Sequence, residues 1–171
     1  MNARLDDDAS RLERARNTAD GLIANTRSLM IASITADGLP LVSYAPFARD
    51  ADGGLLIAVS GLAAHGRVLA ASERVSVMLV EDEQAARQIF ARTRLTFSCR
   101  VVPQLDADRA GVFAGLRSRF GEIANLLEGL GDFTAYRLVP EHGNFVMGFG
   151  AAFDLPDARI DGMRPVEIER G

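Results

Sequence analysis

Apolar residues recur along this chain in two periods, and the switches between them mark its elements. Residues 9–25 carry Leu12, Ala15, Ala19, Leu22 and Ile23 at helical spacing, with arginine and aspartate between them. That pattern predicts an amphipathic helix packed on the domain or on a partner subunit. From Leu29 to Thr35 the run is apolar and β-prone, Asp37-Gly38 provides a hairpin turn, and Leu41 to Ala48 returns. Arg49-Asp-Ala-Asp-Gly-Gly54 is a second turn, and the six-residue apolar run Leu55 to Ser60 reads as a buried third strand. A short helix then begins around His65, with Leu62, Leu69 and the small residues between them expected to seat it on that strand.

Arg74 to Val80 predicts a fourth strand, and Glu81 to Arg87 a charged excursion. Leu95 to Val102 predicts a fifth, with Leu95, Phe97, Cys99 and Val101 on one face and Thr96, Ser98 and Arg100 on the other; Pro103 is expected to stop it. Asp106 to Phe120 and Glu122 to Leu130 read as helices broken at Gly121. Two more strands, Phe133 to Val139 and Phe145 to Phe153, follow, joined by a turn at Pro140-Glu-His-Gly143. The pattern divides the chain into an N-terminal helix (1–26), a β domain (27–153) and a weakly periodic tail (154–171), exposed or laid along a neighbour. Six or seven antiparallel strands with few helices point to a small barrel that hides its edges, one end closed by the helix between strands three and four.

Composition narrows the picture. The chain has 171 residues, 48% of them hydrophobic and 25% charged, which suits one globular domain with a sizeable core. No apolar run approaches the roughly 20 residues of a membrane helix, and the acidic start lacks the apolar centre of a secretory signal. The single cysteine, Cys99, falls in phase with Leu95 and Phe97 and is expected to be buried, which favours a cytoplasmic setting. All 19 basic residues are arginine. Without lysine, Schiff-base chemistry and a Walker-type phosphate loop are excluded, since each needs an ammonium. The net charge of −4 and scattered arginines also argue against a nucleic-acid partner.

The candidate chemistry gathers at the strand-turn-helix Ser60-Gly-Leu-Ala-Ala-His65-Gly-Arg67. A helix N-terminus favours an anion; imidazole can add a metal bond or a proton, and guanidinium a bidentate grip on phosphate or carboxylate. Tyr44 alternates with Ser43, so only one of them faces inward, and Ser43 is the expected one. His142 is expected in a turn and exposed to solvent, and Tyr136 in the barrel packing. Gly148 and Gly150 suit a close backbone approach or a bulge. The run Glu81-Asp82-Glu83 reads as a solvated loop.

The stretch Leu29-Met-Ile-Ala-Ser-Ile-Thr-Ala-Asp-Gly-Leu-Pro40, the strand-turn-helix at His65 and Arg74-Val-Ser-Val77 resemble the FMN-binding split-barrel family that includes pyridoxamine 5′-phosphate oxidase. Within it the chain is most similar to the HugZ/HutZ-type haem-utilisation proteins, through Val42-Ser-Tyr-Ala-Pro-Phe47, Ala64-His-Gly-Arg-Val-Leu69, Leu79-Val-Glu-Asp-Glu83, Gln88-Ile-Phe-Ala-Arg92, Arg119-Phe-Gly-Glu122, Phe133 to Pro140 and Phe145-Val-Met-Gly-Phe-Gly150. The resemblance implies a six-stranded antiparallel split β-barrel with flanking helices, acting as a homodimer with ligand pockets between subunits. It leaves haem and FMN as alternative cofactors. The function it implies is haem utilisation, with a haem oxygenase that releases iron as one form; flavin-dependent oxidoreductase or non-catalytic binding protein are the alternatives. The small-molecule contacts it points to are His65, Arg67, Ser43, Ser60, Arg94 and Asp132, with His65 as a candidate iron ligand. Two features depart from the pattern. Where flavin oxidases of this family carry cationic phosphate contacts, this chain has Ser43, Ala48, Ala64 and His65. Relatives of the haem type are expected to ligate iron through a histidine of the C-terminal tail, backed by an aspartate that corresponds to Asp132. The tail from Asp154 to Gly171 contains no histidine.

Overall fold

The fold was taken from a computed structural model, which describes residues 2–166, with side chains from Ala9 onward. Residues 167–171 of the expected tail lie outside them. In chain order the elements are α1 (Asn2–Asn25), β1 (Ser28–Ile34), β2 (Pro40–Pro46), β3 (Ala48–Arg49), β4 (Leu55–Ser60), α2 (Ala64–Ala71), β5 (Arg74–Val80), a 3₁₀ turn (Ile89–Ala91), β6 (Arg94–Gln104), α3 (Asp106–Phe120), α4 (Ile123–Gly129), β7 (Phe133–Val146), β8 (Ala152–Leu155) and β9 (Arg164–Pro165). The strands form one mostly antiparallel sheet of split-barrel class, in the order β2-β1-β5-β6-β7-β4-β3, with β8 beside β7 and β9 beside β8. Among the described residues there are nine strands where six or seven were expected. The additions are short edge pieces that lack enough residues to show a period. By its contacts the chain forms two compact units: one takes in the residues up to Thr26, Met78–Phe97 and the chain from Glu141; the other takes in Arg27–Val77 and Ser98–Pro140.

In the first unit α1 buries Ala15, Ala19 and Ile23, the stripe its spacing predicted. Two of its arginines reach the C-terminal part of the chain. Arg11 donates to the Gly150 carbonyl and sits 5.8 Å above the Phe153 ring, and Arg16 donates to the Asp161 carbonyl at 2.6 Å. The expected turn at Pro140–Gly143 is not formed: β7 runs through it, and the chain turns instead at Met147–Ala151, where Gly150 has φ +66°. The reason is steric. A Cβ on Gly143 would lie 2.8 Å from the Phe97 ring, so this glycine serves a close approach inside a strand. The tail also departs from expectation. Phe145 and Phe153 pair across β7 and β8, and Leu155, Ile160 and Met163 are buried, so the described tail is packed.

The second unit holds the core of α3 on the sheet: Ala48, Leu56, Val112, Phe113, Leu116, Ala124 and Ala135. Gly115 lets α3 approach β4, since a Cβ there would lie 2.9 Å from Leu56. Gly121, at φ +76°, separates α3 from α4 where the sequence placed the break. In the β1–β2 hairpin, Ile31 faces Ser43 and Leu29 faces Ala45, while Met30–Tyr44, Ala32–Val42 and Ile34–Pro40 pair on the other face. The turn between them is held by the Thr35 amide and hydroxyl, with Gly38 at φ +81°. β6 does not stop at Pro103 but continues to Gln104. Proline is tolerated there because it sits exposed at the strand's end, where no ladder bond needs its missing N–H.

Candidate functional site

The candidate site forms where β4 ends. Ser60 is the last residue of the apolar run, and its hydroxyl donates to the Asp132 carboxylate. The same hydroxyl accepts the Leu62 amide at 3.2 Å, and the Gly61 amide donates to the Asp132 backbone carbonyl at 2.8 Å. Asp132 is thereby held by side chain and backbone to the strand end, 72 residues away in sequence.

The turn then passes into α2 with Ala63 at the N-cap and no side-chain cap. Gly66 is required here, because a Cβ would lie 2.0 Å from the Ser60 carbonyl oxygen. That contact fixes how closely the helix start sits on the strand. His65 is half-buried on the first turn. Arg67 is exposed, and its guanidinium folds back to donate to the Leu62 carbonyl at 2.6 Å. Leu62 is 79% exposed, contrary to its expected role; Leu69 alone of the two is buried against the sheet. The tight turn at Gly61 aims residue 62 outward, which a periodic count of apolar residues does not register.

The structure therefore places Ser60, His65 and Arg67 on one strand-turn-helix and ties Asp132 to its strand end. Ser43 lies on β2 opposite Ile31, its hydroxyl buried and without a hydrogen-bond partner, while Tyr44 is 67% exposed. Arg94 belongs to the first unit, at the start of β6, where it donates to the Arg92 carbonyl at 3.2 Å. Tyr136 is buried in β7, and burial raises its phenol pKa against the opposing hydrogen bond from Thr134.

Two neighbouring cavities open beside α2. The smaller, about 300 Å³, is lined by Arg67, Thr35, Val68 and other residues of the β1–β2 tip and helix. The larger, about 570 Å³, adds Ala32, Pro40, Val42, Arg74 and Val75. They share Ile34, Leu41 and Ala71, so they form one trench with an apolar bed and an arginine in each lobe. Sequence reasoning missed Arg74 and Ile34, whose only signal was an arginine at a strand start and an apolar residue one step beyond a buried serine.

In the first unit, the loop after β5 lines a polar cavity of about 580 Å³ with Glu81, Asp82, Glu83 and Arg92. Its acids are spent locally: the Glu81 carboxylate accepts the Thr93 amide at 3.0 Å, and Asp82 accepts the Gln84 amide at 2.8 Å. Among the described residues no group of three or more histidine, cysteine, aspartate or glutamate side chains is placed to hold a metal ion. No described helix is long and apolar enough to cross a membrane. His142, expected in a turn, stands on β7 instead, with its Nε2 3.2 Å from Oδ1 of Asp154.

The profile of the pyridoxamine 5′-phosphate oxidase family matches residues 16–147. The chain is 42% identical over 132 residues to haem oxygenase HutZ of Vibrio cholerae, covering 75% of this chain and 74% of that one. It is 28% identical over 144 residues to the non-canonical chloroplastic haem oxygenase HOZ of Arabidopsis thaliana, covering 84% of this chain and 42% of that longer one. Among solved structures it resembles that of HutZ, described as the haem storage protein from Vibrio cholerae. The TM-score is 0.70 at 36% identity, with 74% of this chain and 90% of that one covered.

Proposed function

The chain belongs to the pyridoxamine 5′-phosphate oxidase family, in its HutZ-type branch, and from that premise we propose that it binds haem and serves haem utilisation. The observation that carries this reading is the trench beside α2. Its bed of Ile34, Leu41, Ala71 and Val75 is apolar, and Arg67 and Arg74 supply cations, which suits a flat apolar ligand with anionic groups. Flavin is disfavoured by the same unit. Ala48, at a position where the family's flavin oxidases carry a phosphate-binding cation, is buried against Leu56 and α3, leaving no room for a long charged side chain. Each lost charge-assisted contact costs about 1.5–3 kcal/mol.

Ser60, Asp132, His65 and Arg67 are the polar contacts proposed at the helix start, with Ser43 and Arg94 as further candidates. The Ser60 hydroxyl fixes the Asp132 carboxylate, so one oxygen is engaged and the other is left to accept a proton-bearing partner. Bound haem supplies iron and the oxidising chemistry with O₂; the chain supplies a donor atom, an apolar bed and hydrogen-bonding groups. We further propose a homodimer in the cytoplasm. Ile34, Val42 and Tyr44 are 61%, 69% and 67% exposed on one face of the β1–β2 edge, and a second copy would cover them.

The test is parallel titration of the purified protein with haemin and FMN. A saturable Soret shift at submicromolar haemin, with FMN weaker by several powers of ten, is expected. Submicromolar FMN affinity without haem uptake would refute the reading. The oxygenase form rests on the 42% identity to HutZ. Loaded protein given reductant and O₂ should then lose its Soret band and pass iron to a chelator; a band that persists would identify a storage protein.

A further inference from the structure

The two lobes of the trench beside α2 carry different polar groups. In the smaller lobe those groups are already engaged. Arg67 donates from Nη1 to the Leu62 carbonyl at 2.6 Å. The Thr35 hydroxyl donates to Oδ1 of Asp37 at 2.5 Å and accepts the Leu39 amide at 3.0 Å. The bond from Thr35 holds the Asp37 carboxyl below its usual pKa, so an anion stands beside this lobe. The rest of its lining, Ile34, Leu41 and Val68 among it, is apolar.

The larger lobe is built by strand alternation. β5 buries Val75 and Val77, which leaves Arg74 and Ser76 on its outer face. β6, the next strand in the sheet, buries Phe97 and Cys99 and presents Ser98. Arg74, Ser76 and Ser98 line the one cavity of about 570 Å³. Among the described residues neither serine hydroxyl has a hydrogen-bond partner, and no carboxylate lines either lobe. A guanidinium fork with two hydroxyl donors is the set that a carboxylate accepts from. No residue lining either lobe is a histidine, tyrosine, cysteine or methionine, so the lining itself offers iron no donor.

Resting on the haem reading above, we propose that the larger lobe is the carboxylate end of the tetrapyrrole site. Arg74, with the hydroxyls of Ser76 and Ser98, takes the propionates, and the apolar edge of the macrocycle lies over Ile34, Leu41 and Val68. Arg67, turned back to Leu62 beside the Asp37 anion, is not the propionate contact. The trench then selects a flat tetrapyrrole dicarboxylate by its acid edge and its apolar face, with or without a metal at its centre.

The experiment uses the full chain and three probes: haemin, metal-free protoporphyrin IX and the dimethyl ester of that porphyrin, read by Soret absorbance and porphyrin fluorescence. Protoporphyrin IX should bind wild type within about threefold of haemin, and the ester at least about tenfold more weakly. Arg74→Met should weaken haemin and protoporphyrin IX together by about tenfold or more and leave the affinity for the ester unchanged. Arg74→Lys, which keeps the charge without the fork, should recover part of that loss. Ser76→Ala combined with Ser98→Ala should weaken both acids by about threefold to tenfold, and Arg67→Met by less than about threefold. Thermal melts check folding, and the comparison of the three probes on wild type needs no variant. An Arg74→Met protein that binds haemin as wild type does, or a loss confined to Arg67→Met, would overturn the inference while leaving haem uptake intact. So would protoporphyrin IX binding about a hundredfold more weakly than haemin, since recognition would then lie in the iron. Wild type that takes up neither haemin nor protoporphyrin IX would overturn the functional reading and this inference with it.

Discussion

Gly66→Ala is the substitution whose sign separates steric fit from helix propensity. In a free helix alanine outranks glycine by roughly 0.5–1 kcal/mol, so propensity alone predicts stabilisation. In this protein the new methyl would lie 2.0 Å from the Ser60 carbonyl oxygen, 2.9 Å from its carbon and 3.2 Å from the Gly61 Cα. A real Cβ needs at least 3.0 Å, so helix or strand must yield by about 1 Å. The strand cannot yield easily: Ser60 is paired with Phe133, and the Gly61 amide is bonded to Asp132 at 2.8 Å. Overpacking costs about 1–3 kcal/mol, and a 2.0 Å contact with backbone lies at the upper end, which leaves a net loss of roughly 2 kcal/mol after the propensity gain. For a chain of this size that is a fall in Tm of roughly 4–8 °C. Gly111→Ala is the internal control. It sits inside α3 with nothing within 4 Å of its added Cβ, so it should gain about 0.5–1 kcal/mol. Calorimetry or circular dichroism melts of both variants decide the matter. If Gly66→Ala is as stable as wild type while Gly111→Ala is stabilised, the close seating of α2 on β4 is not what the structure describes.

Three further outcomes are expected. At Asp50, burial pushes the carboxyl pKa upward, but hydrogen bonds and charge from Arg137, with the amides of Gly54 and Asp52, outweigh it and leave the pKa below 3.8. Asp50→Asn should therefore cost about 1 kcal/mol at neutral pH, since the pair is partly exposed. A depressed pKa means the contribution is complete above pH 3.8 and is lost as pH falls through the lower folded value, so urea melts of the two proteins should converge in strong acid. Leu62→Ser should change stability by no more than about 0.5 kcal/mol, because the side chain is exposed; a loss of 2 kcal/mol or more would place it in a core after all. Sedimentation at micromolar concentration should give about twice the 18.4 kDa chain mass, and a monomer would leave the apolar β1–β2 face without the proposed partner.

The bounds of β4 and β5 could be read directly, because β4 is an apolar run and β5 buries every second residue, Val75, Val77 and Leu79, and each is closed by residues that leave the pattern, at Gly54 and Gly61 and again at Glu73 and Glu81. The α3–α4 break at Gly121 and the burial of Cys99 were equally local. One needs a residue that adopts φ +76°, and the other follows a period of two. His65 and Arg67 at a helix start, after a strand that ends in Ser60, were legible for the same reason. What the sequence could not show depends on which distant atoms share a space. Pro140 and Gly143 have turn composition, yet β7 runs through them because Gly143 must pass the Phe97 ring. The tail lacks a period of its own, yet Leu155 and Met163 are buried, Leu155 opposite Gly143 of β7. Asp132 meets Ser60 across 72 residues, and His142 meets Asp154 only because β7 and β8 are in register. Local composition sets where elements start and stop; the partners of a carboxylate or an imidazole are set by the register of strands, which is a property of the folded sheet.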